Sequence, residues 1–208
     1  MKISSSKKKF VYLISPNKIY PNFYKDLKKI FKSNKVYFFQ LRLKKISFKN
    51  KIVIAKKIKK ICKKFKIKFL INDDPYLTKK IDADGCHLGQ KDINIIKARK
   101  IIGKKIIGIT CHNSIRLSKK AIKDGADYIA LGAFYPSKTK NVKFKAKISD
   151  LKRIKKFSNI PIIAIGGINK DNYKKLLLNK ADFLAISSFI WKNKKLKPIE
   201  AIKILKWK

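Results

Sequence analysis

Four stretches of this chain carry groups of the kind that grip phosphate. Gln40-Leu41-Arg42-Leu43-Lys44 closes an apolar run, and strand alternation puts Gln40, Arg42 and Lys44 on one side. Amide, guanidinium and ammonium in succession do not fill an apolar core. They fit an anion, with arginine as a planar fork and lysine as a point charge. Pro136-Ser137-Lys138-Thr139-Lys140 sets hydroxyl and ammonium groups on a turn. Gly166-Gly167-Ile168 and, later, Ser187-Ser188 offer hydroxyls and backbone N–H groups, the makings of a phosphate cradle. Acids stand in Ile71-Asn72-Asp73-Asp74 and Gly89-Gln90-Lys91-Asp92. Hard oxygen donors from one or two aspartates, completed by water and phosphate oxygens, are what Mg²⁺ takes. For Asp74 and Asp92 the competing role is to cap the helix that follows. Two anion sites with a metal between them describe a phosphate-rich transfer.

Other reactive types read less well as chemistry. Cys111-His112 has no third orienting group nearby in sequence and nothing suggests an acyl substrate, so nucleophilic catalysis is a poor fit. His112 reads as a loop or substrate contact, and His87, beside Cys86 inside an apolar run, as a satisfied core histidine.

Positioning these groups calls for a repeated scaffold. Short β-type runs cover Phe10–Ser15, Val36–Arg42, Phe69–Asp73, Gly85–Gly89, Ile106–Thr110, Tyr128–Phe134, Pro161–Gly167 and Phe183–Ser188. Segments of helical spacing lie between them, among them Lys49–Phe65, Asn94–Ile102, Ile115–Asp124, Ser149–Phe157 and Lys170–Leu178. Ala-Asp precedes three of the runs, at Asp84, Asp127 and Asp182, where a turn aspartate can satisfy nearby backbone N–H groups. Apolar strands alternating with helices predict a parallel α/β sheet. No Gly-x-Gly-x-x-Gly follows the first run, which removes the main signature of the open dinucleotide-binding sheet. The expectation is a (β/α)8 TIM barrel, a compact single domain over residues 1–208. In that fold the C-terminal strand ends form the catalytic face, and every group named in the first paragraph lies at such an end.

Composition bounds the rest. Of 208 residues, 45% are hydrophobic, which excludes a disordered polycation despite a net charge of +43. No apolar run approaches the roughly 20 residues of a membrane span. The cysteines Cys62, Cys86 and Cys111 are too scattered for a disulfide framework or a zinc site, so the chain is expected in the cytoplasm. Lysine is spread over almost every helical segment while the arginines are only Arg42, Arg99, Arg116 and Arg153. That pattern reads as a solvated surface, with weak attraction for polyanions, and no specific nucleic-acid partner is expected.

Taken in order, Gln-x-Arg-x-Lys, Ile-Asn-Asp, Ala-Asp-Gly-x-His-Leu-Gly-Gln-x-Asp, Pro-Ser-Lys-Thr-Lys and Ala-Ile-Gly-Gly-Ile resemble the motifs of the thiamine phosphate synthase family over residues 10–190. The resemblance implies a barrel transferase that joins hydroxymethylpyrimidine diphosphate to thiazole phosphate, with Mg²⁺ as cofactor. By motif, Gln40, Leu41, Arg42, Leu43, Lys44, Asn72, Thr110 and Lys140 would hold the pyrimidine diphosphate, and Asp73 and Asp92 the metal. Ser137, Lys138, Thr139, Gly167, Ser187 and Ser188 would hold the thiazole phosphate. Arg42, Lys44 and Lys140 would stabilise the charge that grows on the departing diphosphate. Departures from the family pattern stand at Leu43, Ala133, Ser137, Asn179-Lys180 and Asn141–Lys147. Two other readings share these residues. A thiazole tautomerase of the same superfamily needs no diphosphate–metal site, and a basic nucleic-acid-binding protein on a degenerate barrel needs no substrate pocket.

Overall fold

A computed structural model of the chain describes residues 3, 9–44, 46–136 and 144–207. Its strands are β1 (Val11–Ile14), β2 (Val36–Leu41), β3 (Lys68–Asn72), β4 (Gly85–Leu88), β5 (Ile106–His112), β6 (Tyr128–Gly132), β7 (Ile162–Ile165) and β8 (Phe183–Ile186). They pair in parallel in sequence order, and β8 returns to β1, so the sheet closes into the expected barrel. Around it run α1 (Phe23–Lys32), α2 (Phe48–Lys64), α3 (Pro75–Lys80), α4 (Ile95–Ile102), α5 (Ile115–Lys123), α6 (Ile148–Lys155), α7 (Tyr173–Leu178), α8 (Ser188–Trp191) and α9 (Pro198–Ile204). None of these is long and apolar enough to cross a membrane.

The period-two alternation of each strand builds two cores. Val11, Leu13, Phe39, Leu41, Phe69, Ile71, Ile107 and Ile109 belong to the larger cluster, between strands and helices. Tyr12, Ile14, Phe38, Leu70, Tyr128, Ala130, Ile163 and Phe183 form a second cluster and fill the barrel. Gly108 is required by this filling, because a Cβ there would sit 1.8 Å from the Tyr128 ring. Helix starts follow the sequence: Ser47, Asp74, Asn94 and Ser114 each accept a backbone N–H three residues on, capping α2, α3, α4 and α5.

At the N-terminal face the three Ala-Asp units act alike. Asp84 accepts the Phe69 N–H at 2.9 Å, Asp127 that of Ile107 at 2.8 Å, and Asp182 that of Ile162 at 2.7 Å. Each carboxylate before an even-numbered strand thereby takes up a backbone donor at the start of the strand before it. Each also holds one base: Lys68, Arg99 and Lys155 respectively. Before β2 the corresponding residue is Lys35, and there the Val11 N–H goes to the Lys35 carbonyl at 3.0 Å instead.

Candidate active site

At the C-terminal face, inward-pointing positions of neighbouring strands turn polar. Gln40 on β2 is buried, and its Nε2 donates to Asn72 Oδ1 on β3 at 2.7 Å. β2 ends at Leu41, one residue before the end of the expected run, and Lys44 is exposed in the loop beyond. Leu41 and Leu43 turn their side chains into the helix-facing core, leaving only their backbone to any ligand. Arg42 is half-buried and braced from β1, a strand to which the sequence reading gave no site residue. Its N–H donates to Ser15 Oγ at 2.9 Å and its Nη1 to Asn17 Oδ1 at 3.2 Å. The Ser15 carbonyl in turn accepts from Ser187 Oγ at 3.3 Å, tying the end of β2 to the turn after β8. The polar Ser15-Pro16-Asn17 after an apolar run was the available signal.

The two expected metal carboxylates come together. Burial of its carboxyl, and then the Asp92 carboxylate beside it, push Asp73 up to about 6, against the opposing pull of the Arg42 guanidinium and a hydrogen bond from Asn72. Asp73 is held there by a left-handed backbone (φ 63°) whose N–H donates to the His87 carbonyl at 2.8 Å. Asp92 is not the cap of α4, which is Asn94; its Oδ2 accepts the Gly89 N–H at 2.6 Å. Asp74 is a cap and nothing more is needed to explain it: Oδ1 accepts from Leu77 N at 2.8 Å. Among the described residues no third His, Cys, Asp or Glu joins this pair. The donor set is therefore all-oxygen and incomplete, as a Mg²⁺ shared with phosphate and water requires.

Thr110 on β5 points into the barrel. Its Oγ1 lies 2.9 Å from His87 Nε2, and its carbonyl accepts from Gln90 Nε2 at 2.5 Å. His87 Nδ1 lies 2.8 Å from Tyr128 Oη, so His87 is the satisfied core histidine expected, and burial pushes its pKa down to about 4. Cys111 is buried with its thiol raised to about 12, and the His112 ring stacks on Phe144 at 4.2 Å; neither is set up as a nucleophile.

Gly167 (φ 60°) packs against the segment after β6: a Cβ would meet the Pro136 carbonyl at 2.2 Å. Ser187 leads into the four-residue α8, which begins at Ser188. A short extra helix after the eighth strand, next to the loop after the seventh, is the usual place for phosphate in a barrel. Ser137, Lys138, Thr139 and Lys140 lie outside the described residues.

Comparison with known proteins agrees with this arrangement. A family model described as thiamine monophosphate synthase matches residues 11–190. A thiamine-phosphate synthase of Pelagibacter ubique is 67% identical over 99% of this chain and 100% of its own. One from Nitrosomonas eutropha is 42% identical over 75% of this chain and 74% of its own. Among solved structures, thiamine phosphate pyrophosphorylase from Pyrococcus furiosus superposes with a TM-score of 0.84 at 27% identity, covering 96% of this chain and 94% of that one. The strand order, the motifs at the strand ends and these matches together make the chain a member of the thiamine monophosphate synthase family.

Proposed function

We infer that the mouth of this barrel joins hydroxymethylpyrimidine diphosphate to thiazole phosphate, releasing diphosphate and thiamine phosphate. Family membership makes the chain a transferase of thiamine biosynthesis. The assignment of roles rests above all on one observation, the meeting of Asp73 and Asp92 beside Arg42 at the C-terminal face. Burial, and then the neighbouring Asp92 carboxylate, raise Asp73 to about 6, and a divalent cation would relieve the repulsion between the two. Asp73 and Asp92 would hold Mg²⁺. When bound, it supplies positive charge to the diphosphate oxygens.

The chain's own groups do the rest. Arg42, held at its backbone by Ser15 and at its guanidinium by Asn17, presents a preset fork to the diphosphate, where charge grows as the C–O bond breaks. Lys44 and Lys140 would add charge for the diphosphate. The Gln40–Asn72 amide pair is fixed edge to edge, which keeps Gln40 Oε1 and an amide N–H available for a planar heterocycle. Loss of diphosphate leaves a pyrimidine-methyl cation that the thiazole nitrogen captures, so no side-chain nucleophile is required. Ser137, Lys138, Thr139, Gly167, Ser187 and Ser188 would fix the thiazole phosphate, whose charge suits the glycine turn and the start of α8. The three buried cysteines, all unpaired, suit a reducing compartment, and we place the protein in the cytoplasm. Purified protein mixed with both precursors and Mg²⁺ should form thiamine phosphate, and should stop doing so when the metal is chelated. Formation of no product with metal present would refute the reading.

A further inference from the structure

Tyr12, Tyr128, His87 and Thr110 form an unbroken file of hydrogen bonds from the middle of the barrel to its catalytic face. Tyr12 Oη lies 2.8 Å from Tyr128 Oη, Tyr128 Oη 2.8 Å from His87 Nδ1, and His87 Nε2 2.9 Å from Thr110 Oγ1. The rings are locked by packing: His87 stacks on Tyr128 at 5.7 Å, and Tyr12 meets Tyr128 edge-on at 5.9 Å. Both tyrosines are fully buried.

Counting hydrogens decides which way the file runs. A neutral imidazole carries one N–H and each hydroxyl one O–H, so this file has one more hydrogen than it has links. The surplus falls at an end, or on Tyr128 where its hydroxyl accepts from both neighbours. At the Tyr12 end or on Tyr128 it would be a buried O–H for which the described residues offer no acceptor outside the file. An unmet buried donor disfavours either arrangement by roughly ten- to a hundredfold. At the other end Thr110, half-buried, opens to the mouth.

We propose that Tyr12, Tyr128 and His87 are positioning residues that fix Thr110 as a hydrogen-bond donor to the substrate. Tyr12 donates to Tyr128, Tyr128 to His87 Nδ1, and His87 Nε2–H to Thr110 Oγ1, whose own hydrogen faces outward. Thr110 then selects an acceptor atom, a ring nitrogen or a diphosphate oxygen, and turns away an amino group presented at the same point. This rests on the reading above that Thr110 touches the pyrimidine diphosphate.

The tautomer is directly observable. In protein labelled with ¹⁵N-histidine, with His112→Asn identifying the second imidazole, His87 should show a protonated Nε2 and a bare Nδ1 at neutral pH. A proton on Nδ1, or on both nitrogens, would overturn the proposal. Tyr128→Phe removes the donor to Nδ1, so an Nδ1–H population should appear beside the Nε2–H one; an unchanged, pure Nε2–H tautomer would mean that the tyrosines do not set it. The same variant should raise KM for the pyrimidine diphosphate about threefold, because the outward hydrogen of Thr110 is no longer held in place. Thr110→Val should raise that KM about tenfold, with Thr110→Ser restoring it. Binding of inorganic pyrophosphate and of the pyrimidine alcohol to Thr110→Val separates the two acceptors, since only the one served by Thr110 should weaken. If the Nε2–H tautomer is present but Thr110→Val binds both probes like the wild type, the hydrogen does not reach substrate. In that case the placement of Thr110 in the pyrimidine site fails with the tautomer intact, so the two failures are told apart.

Discussion

Aspartates at the two faces of this barrel live under opposite conditions. At the N-terminal face Asp84, Asp127 and Asp182 each take a backbone N–H and a base. Nearby Asp82 bridges Lys105 and Lys59, whose hydrogen bonds hold its carboxyl down at about 2. At the C-terminal face burial, and then the Asp92 carboxylate beside it, push Asp73 the other way, to about 6. One residue type is thus held down at one end and pushed up at the other. What separates the two is burial and a neighbouring carboxylate at one face against bases and solvent at the other. A carboxylate with its partners in place is structural, and crowded ones are held ready for something that arrives.

The contrast breaks most clearly at Asp92. Asp92→Asn keeps the size and removes the charge, so turnover should fall about a hundredfold or more while circular dichroism and Tm stay near wild type. Full turnover in this variant would put Asp92 with the structural aspartates. Arg42→Lys replaces a fork by a point charge and should cost about tenfold or more in kcat/KM, whereas exposed Lys60→Ala on α2 should cost almost nothing. Equal kinetics for the two would mean that Arg42 only decorates the surface.

On the N-terminal face the effect should appear in stability instead. Asp127→Ala strands the Ile107 N–H and removes the carboxylate partner of Arg99, whose guanidinium keeps its backbone acceptors, for about 1–3 kcal/mol and several degrees of Tm, with kcat unchanged in the folded fraction. A variant with normal Tm and impaired kcat would erase the distinction between the faces.

The smallest effect sharpens the comparison by pH. Asp73 holds its proton up to about 6 when folded, against an ordinary 3.8, so between those values the folded state binds more protons than the unfolded one. Its contribution to stability is therefore lost as pH rises through that window. Asp82, depressed to about 2, contributes in the opposite sense, and its share is lost as pH falls through about 3.8 towards 2. Added Mg²⁺ should raise Tm by a few degrees at about pH 7.5, where Asp73 is ionised, and by little at about pH 5, where Asp73 holds its proton. A metal-induced gain independent of pH would place the cation elsewhere.

Much of this was legible before any coordinates. Alternating runs identified all eight strands within a few residues at their ends, because a closed parallel sheet needs apolar residues on both faces of each strand. The Ala-Asp units read as turn aspartates, and they are. The motifs at the strand ends placed Gln40, Arg42, Asn72, Asp73, Asp92 and Thr110 at one face. Less legible was anything that depends on where a strand stops: β2 ends at Leu41, and Ser188, read as the end of the last strand, is the first residue of α8. Ser15 and Asn17 were missed because serine and asparagine after a strand look like any turn.

The sequence by itself determined the barrel and the supply of polar and charged groups at the C-terminal strand ends, since these follow from periodicity and from residue types at strand ends. Only the tertiary structure decided which of those groups meet. Asp73 and Asp92 lie on different strand ends, Arg42 is braced from β1, and His87 joins Tyr128 on β6 to Thr110 on β5. These meetings span strands far apart in the chain, and their geometry is set by the closure of the barrel and the packing of its interior, which no local pattern encodes.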